Sequence, residues 1–309
     1  MLLTRWNSSS RPFSSSAIPA AIALALASLV PSLAHADDEG TAANVDESVD
    51  APVKANESRP LTMRDLGATS SIGVQAGGSM TQQDLLSGKE TLYTGALTLD
   101  GELALGDHVK LYASFPLTAA KDSESDSGIA GRGNVTLGAQ LQGGSGQARA
   151  AIGGSVSRGA DSDGSIGIVM HMDIPTYYSV GTALHGFASL RGGDDDRFVQ
   201  AEIGLTHLSP DHQTSNDLSR DPPEVGSATV GAGMRLTGGP MLLGEVGIMH
   251  QFNRDVSNVV VADIGLRGRF MPDSKATWAT KASLMHVDDL TSIGIGLELR
   301  TDLPGISGK

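Results

Sequence analysis

Few residues in this chain have the type and spacing for chemistry. His207 and Ser209 stand two apart in Thr206-His207-Leu208-Ser209-Pro210, and Asn216 closes the polar run that follows. In an extended chain, positions two apart share a face, so the imidazole and the hydroxyl would point the same way, an arrangement suited to ester chemistry. The plainer reading is a polar strand end entering a loop. His171, Asp173, His185, His250 and His286 are scattered singly, which gives no metal set. Asp122-Ser123-Glu124-Ser125-Asp126 and Asp161-Ser162-Asp163-Gly164 gather carboxylates, but neither has the spacing or distal Glu of a calcium loop. No glycine-rich phosphate loop follows a strand and opens a helix. With no cysteine in 309 residues, thiol nucleophiles, thiolate metal sites and disulfides are excluded, and no cofactor is expected.

The elements that would position these residues follow from a period of two. Val135, Leu137, Ala139 and Leu141 alternate with Thr136, Gly138, Gln140 and Gln142. Ile293, Ile295, Leu297 and Leu299 likewise alternate with Gly294, Gly296, Glu298 and Arg300. One face is apolar and the other is Gly, Ser, Thr, Gln or charged, the pattern of strands with two different solvents. The spacing predicts about twelve strands, over 69–80, 91–105, 108–117, 133–142, 147–158, 178–191, 197–209, 227–237, 241–252, 258–270, 276–287 and 292–301. Gly- and Asp-rich turns alternate with the longer polar stretches 81–90, 118–132, 159–177 and 210–226. That rhythm suits an antiparallel transmembrane up-and-down β-barrel with short periplasmic turns and longer external loops. A soluble sandwich is the competing fold, but glycine at 39 residues and aromatics at only 4% are a poor supply for its core. Tyr93, Phe115, Tyr177, Tyr178, Phe198, Phe252, Phe270 and Trp278 fall near strand ends, where interfacial girdles form.

If the apolar parity meets lipid, the opposite parity faces a lumen. It carries Glu102, Lys110, Arg149, Arg191, Glu202, Arg235, Glu245, Asp263, Arg267, Arg269, Lys281, Glu298 and Arg300. Arg267, Arg269, Lys281 and Arg300 lie on three consecutive strands and would form a positive stripe, the expected filter of a pore. Two readings of this mixed-sign lumen stay open. It is a water-filled channel for small polar solutes, or a plugged interior in which opposite charges pair.

Outside the barrel, the sequence reads as address and spacer. Arg5 and Arg11 precede an apolar run of about 14 residues that ends at Pro31, with Ala34-His35-Ala36 as a cleavage pattern. Residues 1–36 are therefore expected to be a signal peptide cut after Ala36. Seven carboxylates against Lys54 and Arg59, few large apolar residues, Pro52 and Pro60 make 37–62 a disordered acidic linker, with the barrel in 63–309. A net charge of −13 and a pI near 4.9 argue against nucleic acid as a partner.

From 67 to 301 the chain resembles the outer-membrane β-barrel proteins of diderm bacteria. Gly133-Asn134-Val135-Thr136-Leu137-Gly138 is similar to the hairpin starts of transporter-like barrels. The resemblance implies an outer-membrane location and a porin-like passive channel or a structural barrel. It also implies membrane lipids, lipopolysaccharide, periplasmic chaperones and the barrel-assembly machinery as partners. A tail after Arg300 replaces the usual terminal aromatic. The His-x-Ser pair resembles that of outer-membrane phospholipase A, which would make Ser209 a nucleophile, His207 its base and Asn216 the group that orients the imidazole. The acidic loops 118–132 and 210–226 suggest a third role, a surface-exposed interaction barrel.

Overall fold

The computed structural model describes residues 57–85, 88–122, 128–145, 147–158, 181–210, 224–252, 258–272, 274–288 and 290–303. The strands are β1 Ser71–Leu85, β2 Gly88–Leu105, β3 Val109–Asp122, β4 Gly128–Arg132, β5 Val135–Ser145, β6 Ala148–Arg158 and β7 Gly181–Gly193. They continue as β8 Arg197–Pro210, β9 Glu224–Arg235, β10 Met241–Gln251, β11 Val259–Arg269, β12 Ala276–Val287 and β13 Leu290–Asp302. Each pairs antiparallel with its neighbour, and β1 pairs with both β2 and β13, so the sheet closes on itself. Closure gives every stave a partner on either side, the condition for spanning lipid with strands, although β4 itself pairs only with β3 among the described residues.

The barrel has twelve staves because β4 and β5 form one interrupted stave. β3 pairs with β5 up to Ser114 and with β4 from Leu117 onward. Pro116 lies at the break and has no N–H to give to the ladder, while its carbonyl accepts from Gly133 N at 2.9 Å. The expected long connections 81–90 and 118–132 are mostly strand. β2, with 18 residues, is roughly 60 Å long, about twice what a hydrocarbon core requires. The other segments fall close to the expected spans, and β12 coincides with its own.

The two faces separate as the alternation requires. Leu137, Leu141, Ile152, Ile264 and Ile295 point outward, Ile295 with 70% exposure. Lys110, Gln140, Gln200, Glu245 and Arg267 point inward and are buried. At one end lie the tight turns and both ends of the described chain, and this is called the turn end below. Gly144 (φ 123°) and Gly193 (φ 107°) take left-handed backbone there, where a Cβ would also run into the opposing strand's backbone.

Inward glycines serve as seats for rings. Gly138 lies beneath Tyr112 and Gly233 beneath Phe198, and a Cβ at either would overlap the ring. Phe198 is therefore a lumen residue, buried with Met241 and Leu243, and the expectation that it joined an interfacial girdle is corrected. Tyr93, Phe252 and Phe270 are outward and exposed. Tyr177 and Tyr178 lie outside the described residues.

Candidate functional site

The lumen of the turn end is occupied by residues 57–67 of the same chain. The solvated linker expected over 37–62 thus ends at least six residues earlier; 37–56, like the expected signal 1–36, lie outside the described residues. Leu61, Met63 and Leu66 give this segment an apolar content that the acidic run before it lacks. Leu61 packs against Phe198, Met241 and Leu243, and Leu66 against Tyr112, Ala151 and Phe187. Burying Leu66 is worth about 1.5–3 kcal/mol, and the partly buried Leu61 adds less. Arg64 lays its guanidinium 4.5 Å from the Tyr112 ring centroid and 5.5 Å from that of Phe187.

The polar contacts fall into three groups. At the mouth, Glu57 pairs with Arg235 and Arg269, and Arg191 Nη1 donates to the Ser58 carbonyl at 2.7 Å. Deeper in the lumen, four charges close a ring of alternating sign. Arg59 donates to Glu102 at 2.9 Å, Lys110 Nζ lies 3.2 Å from Glu102 and 3.0 Å from Asp65, and Asp65 lies 3.7 Å from Arg59. Burial pushes the Asp65 carboxyl up, but Lys110 and Arg59 outweigh it and hold the group well below the ordinary carboxylate range. For Arg59, burial acts downward and is outweighed by Glu102 and Asp65, so the guanidinium stays charged. On the opposite wall, the Glu245 carboxylate accepts the backbone N–H of Leu61 and of Thr62, the latter at 2.9 Å, together with the Thr62 hydroxyl.

The nine expected pore-lining residues all face the lumen, but they do not form a positive stripe of free charges. Arg267 is fully buried and bidentate to Glu298 at 3.1 and 3.0 Å. Arg300 donates to Glu298 at 2.8 Å and to Asp100. Arg269 is taken by Glu57 and Arg235 by Glu57 and Asp196. Lys281 stands 3.9 Å from Asp263, and Glu202 accepts Arg64 N at 2.9 Å. Sequence parity identified the inward charges, but not their partners, several of which lie across non-adjacent strands, as Glu298 does for Arg267 and Asp100 for Arg300, or in 57–67.

A cavity of about 220 Å³ rests on this segment, lined by Arg59, Arg64, Thr98, His185, Thr229 and Lys281 among others. Its walls carry hydroxyls and small residues, a surface suited to water and polar solutes.

His207 and Ser209 keep the outward parity of Ile203 and Leu205. The imidazole lies 3.8 Å from Glu224 on the neighbouring strand, and Asn216 lies outside the described residues. Nothing in the described geometry brings the serine and the histidine together. No group of three or more His, Asp or Glu among the described residues could hold a metal ion.

No family model matches the sequence, and no curated protein matches it. Solved structures do match by shape. An outer membrane channel from Pseudomonas putida F1 superposes with a TM-score of 0.56 at 14% identity, over 79% of this chain and 99% of that one. The fold is that of the outer-membrane β-barrels. The translocator domain of the autotransporter NalP from Neisseria meningitidis superposes with a TM-score of 0.50 at 12% identity, over 76% of this chain and 88% of that one. Within this barrel, residues 57–67 fill the turn end of the lumen in the manner of a stopper, and their contacts with the wall are the candidate site.

Proposed function

We propose that the chain is an outer-membrane channel for small polar solutes, closed from its turn end by residues 57–67. The observation that carries this reading is the origin of the closure. At its turn end the bore is blocked by a separate, covalently tethered segment held by hydrogen bonds, ion pairs and two leucines, and not by the wall's side chains alone. A barrel needed only as a structural element gains nothing from a lumen lined by Thr98, Thr229 and Lys281 beside a segment that is not part of the wall. The likeness in fold to an outer membrane channel supports the class.

In this reading residues 1–36 export the chain, the turn end faces the periplasm, and the apolar outer wall meets lipid and lipopolysaccharide. The assembly machinery and periplasmic chaperones handle the chain before insertion. Solutes pass when the stopper leaves, and Lys281 and Asp263 then help to select them by charge.

The test is conductance in planar bilayers. Leu61→Asp combined with Leu66→Asp alters only the stopper and should raise single-channel conductance well above that of the parent protein. If both run on unboiled gels as folded, heat-modifiable barrels and neither conducts above bare lipid, the channel reading is wrong.

A further inference from the structure

The wall holds the stopper largely through its main chain. Glu245 accepts the N–H groups of Leu61 and Thr62, and Glu202 accepts that of Arg64 at 2.9 Å. Gln200 Nε2 donates to the Arg64 carbonyl at 2.7 Å, Gln140 Nε2 to that of Asp65 at 2.9 Å and Gln142 Nε2 to that of Gly67 at 3.3 Å. Arg191, Arg267 and Lys110 reach the carbonyls of Ser58, Pro60 and Asp65. Main-chain groups of Ser58, Pro60, Leu61, Thr62, Arg64, Asp65 and Gly67 are thus held by the wall, carboxylates taking the donors and amides or cations taking the acceptors. Carboxylate–amide hydrogen bonds of this kind are the stronger sort, and every non-proline peptide unit offers them whatever its side chain.

The stopper does not use the whole surface. Gln200 Oε1 and Tyr112 Oη are buried beside it without a hydrogen-bond partner among the described residues, and both lie on wall residues that contact Arg64. A buried acceptor or hydroxyl left unpaired is unfavourable, and another chain lying in the same place could satisfy it.

We propose that the vacated lumen is a binding site for oligopeptides without regular secondary structure, about ten residues long by comparison with 58–67, recognised through the backbone. The resident segment is its tethered occupant. Apolar side chains at the positions of Leu61 and Leu66 add affinity through the two wall clusters. The proposal goes beyond the channel reading and shares with it only the requirement that the stopper can leave.

The experiment uses the full chain carrying Leu61→Asp and Leu66→Asp, in detergent, with fluorescence anisotropy of a labelled peptide of sequence 57–67. Two further peptides are compared: one N-methylated at the residues matching Leu61, Thr62 and Arg64, and one of shuffled sequence that keeps its leucine, proline and charged positions. The expected result is that the unmodified peptide binds, methylation weakens it by about thirtyfold or more, and shuffling changes it by less than about fivefold. Glu245→Gln with Glu202→Gln in the same background should remove most of the methylation effect. Equal binding of methylated and unmodified peptides overturns the proposal, as does the absence of binding to a variant that is folded on unboiled gels. Conductance of the same variant separates the two ideas: conduction without peptide binding leaves the channel and removes the peptide site, whereas binding without conduction does the reverse.

Discussion

The Asp65 carboxylate stands 3.0 Å from the Lys110 ammonium, and both side chains are almost wholly buried. One belongs to a segment with no regular structure and the other to the second position of β3. Their pairing, with Arg59 and Glu102 completing the ring, fixes where the chain enters the barrel and how deeply it lies.

Breaking that pair should loosen the stopper without unfolding the wall. In Asp65→Asn, Lys110 keeps Glu102 at 3.2 Å, so the loss is nearer the ~1.5–3 kcal/mol of a charged hydrogen bond than the cost of an orphaned ammonium. Since the chain has no cysteine, Met63→Cys gives a single reporter thiol on the buried stopper. Its labelling by a water-soluble thiol reagent should be slow in the otherwise unaltered protein and about tenfold or more faster with Asp65→Asn.

The pH dependence of this contact has a definite sign. A carboxyl whose pKa is depressed in the folded state stabilises that state above its ordinary value, near 4, and loses the contribution as pH falls toward the native value. The difference in stopper release between the parent and Asp65→Asn should therefore be constant from about pH 8 to pH 5 and shrink below about pH 4. Conductance measured across that range checks it; a difference that vanishes near neutrality would contradict the Lys110–Asp65 assignment.

Glu245 should matter through its charge. Glu245→Gln keeps the shape but turns one of two acceptor oxygens into a donor facing the N–H groups of Leu61 and Thr62. About 2 kcal/mol of lost charge-assisted bonding is roughly a thirtyfold increase in the unstoppered fraction. Open probability in bilayers should rise accordingly, with the fold unchanged on unboiled gels.

The glycine beneath Tyr112 offers a test of packing. A Cβ at position 138 would overlap the ring, so Gly138→Val must displace Tyr112 and with it the surface on which Arg64 stacks. Overpacking of this kind costs about 1–3 kcal/mol. The temperature at which the folded band is lost on gels should fall, and pairing the change with Tyr112→Ala, which vacates the space, should restore part of it.

The strands and their two faces were legible because each stave lies between lipid and a polar bore, which imposes a period of two. The tight turns were legible because glycine alone accepts the backbone at positions such as 144 and 193. The inward placement of Glu202, Glu245, Asp263, Arg267 and Glu298 followed from the same parity. The stopper was not legible as a stopper. Leu61, Met63 and Leu66 interrupt an acidic run, which was the only local signal, and its Pro60 and charges read as a linker. Asp65 meets Lys110 45 positions away, and Thr62 meets Glu245 183 positions away. Such contacts exist only after the barrel closes and creates a low-dielectric bore in which charges must find partners. The sequence by itself therefore determined the alternation, the strand number and the sign of each face. The tertiary structure decided which charges cancel, that Phe198 turns inward over Gly233, and that a segment outside the wall fills the lumen, because each depends on groups brought together across the closed sheet.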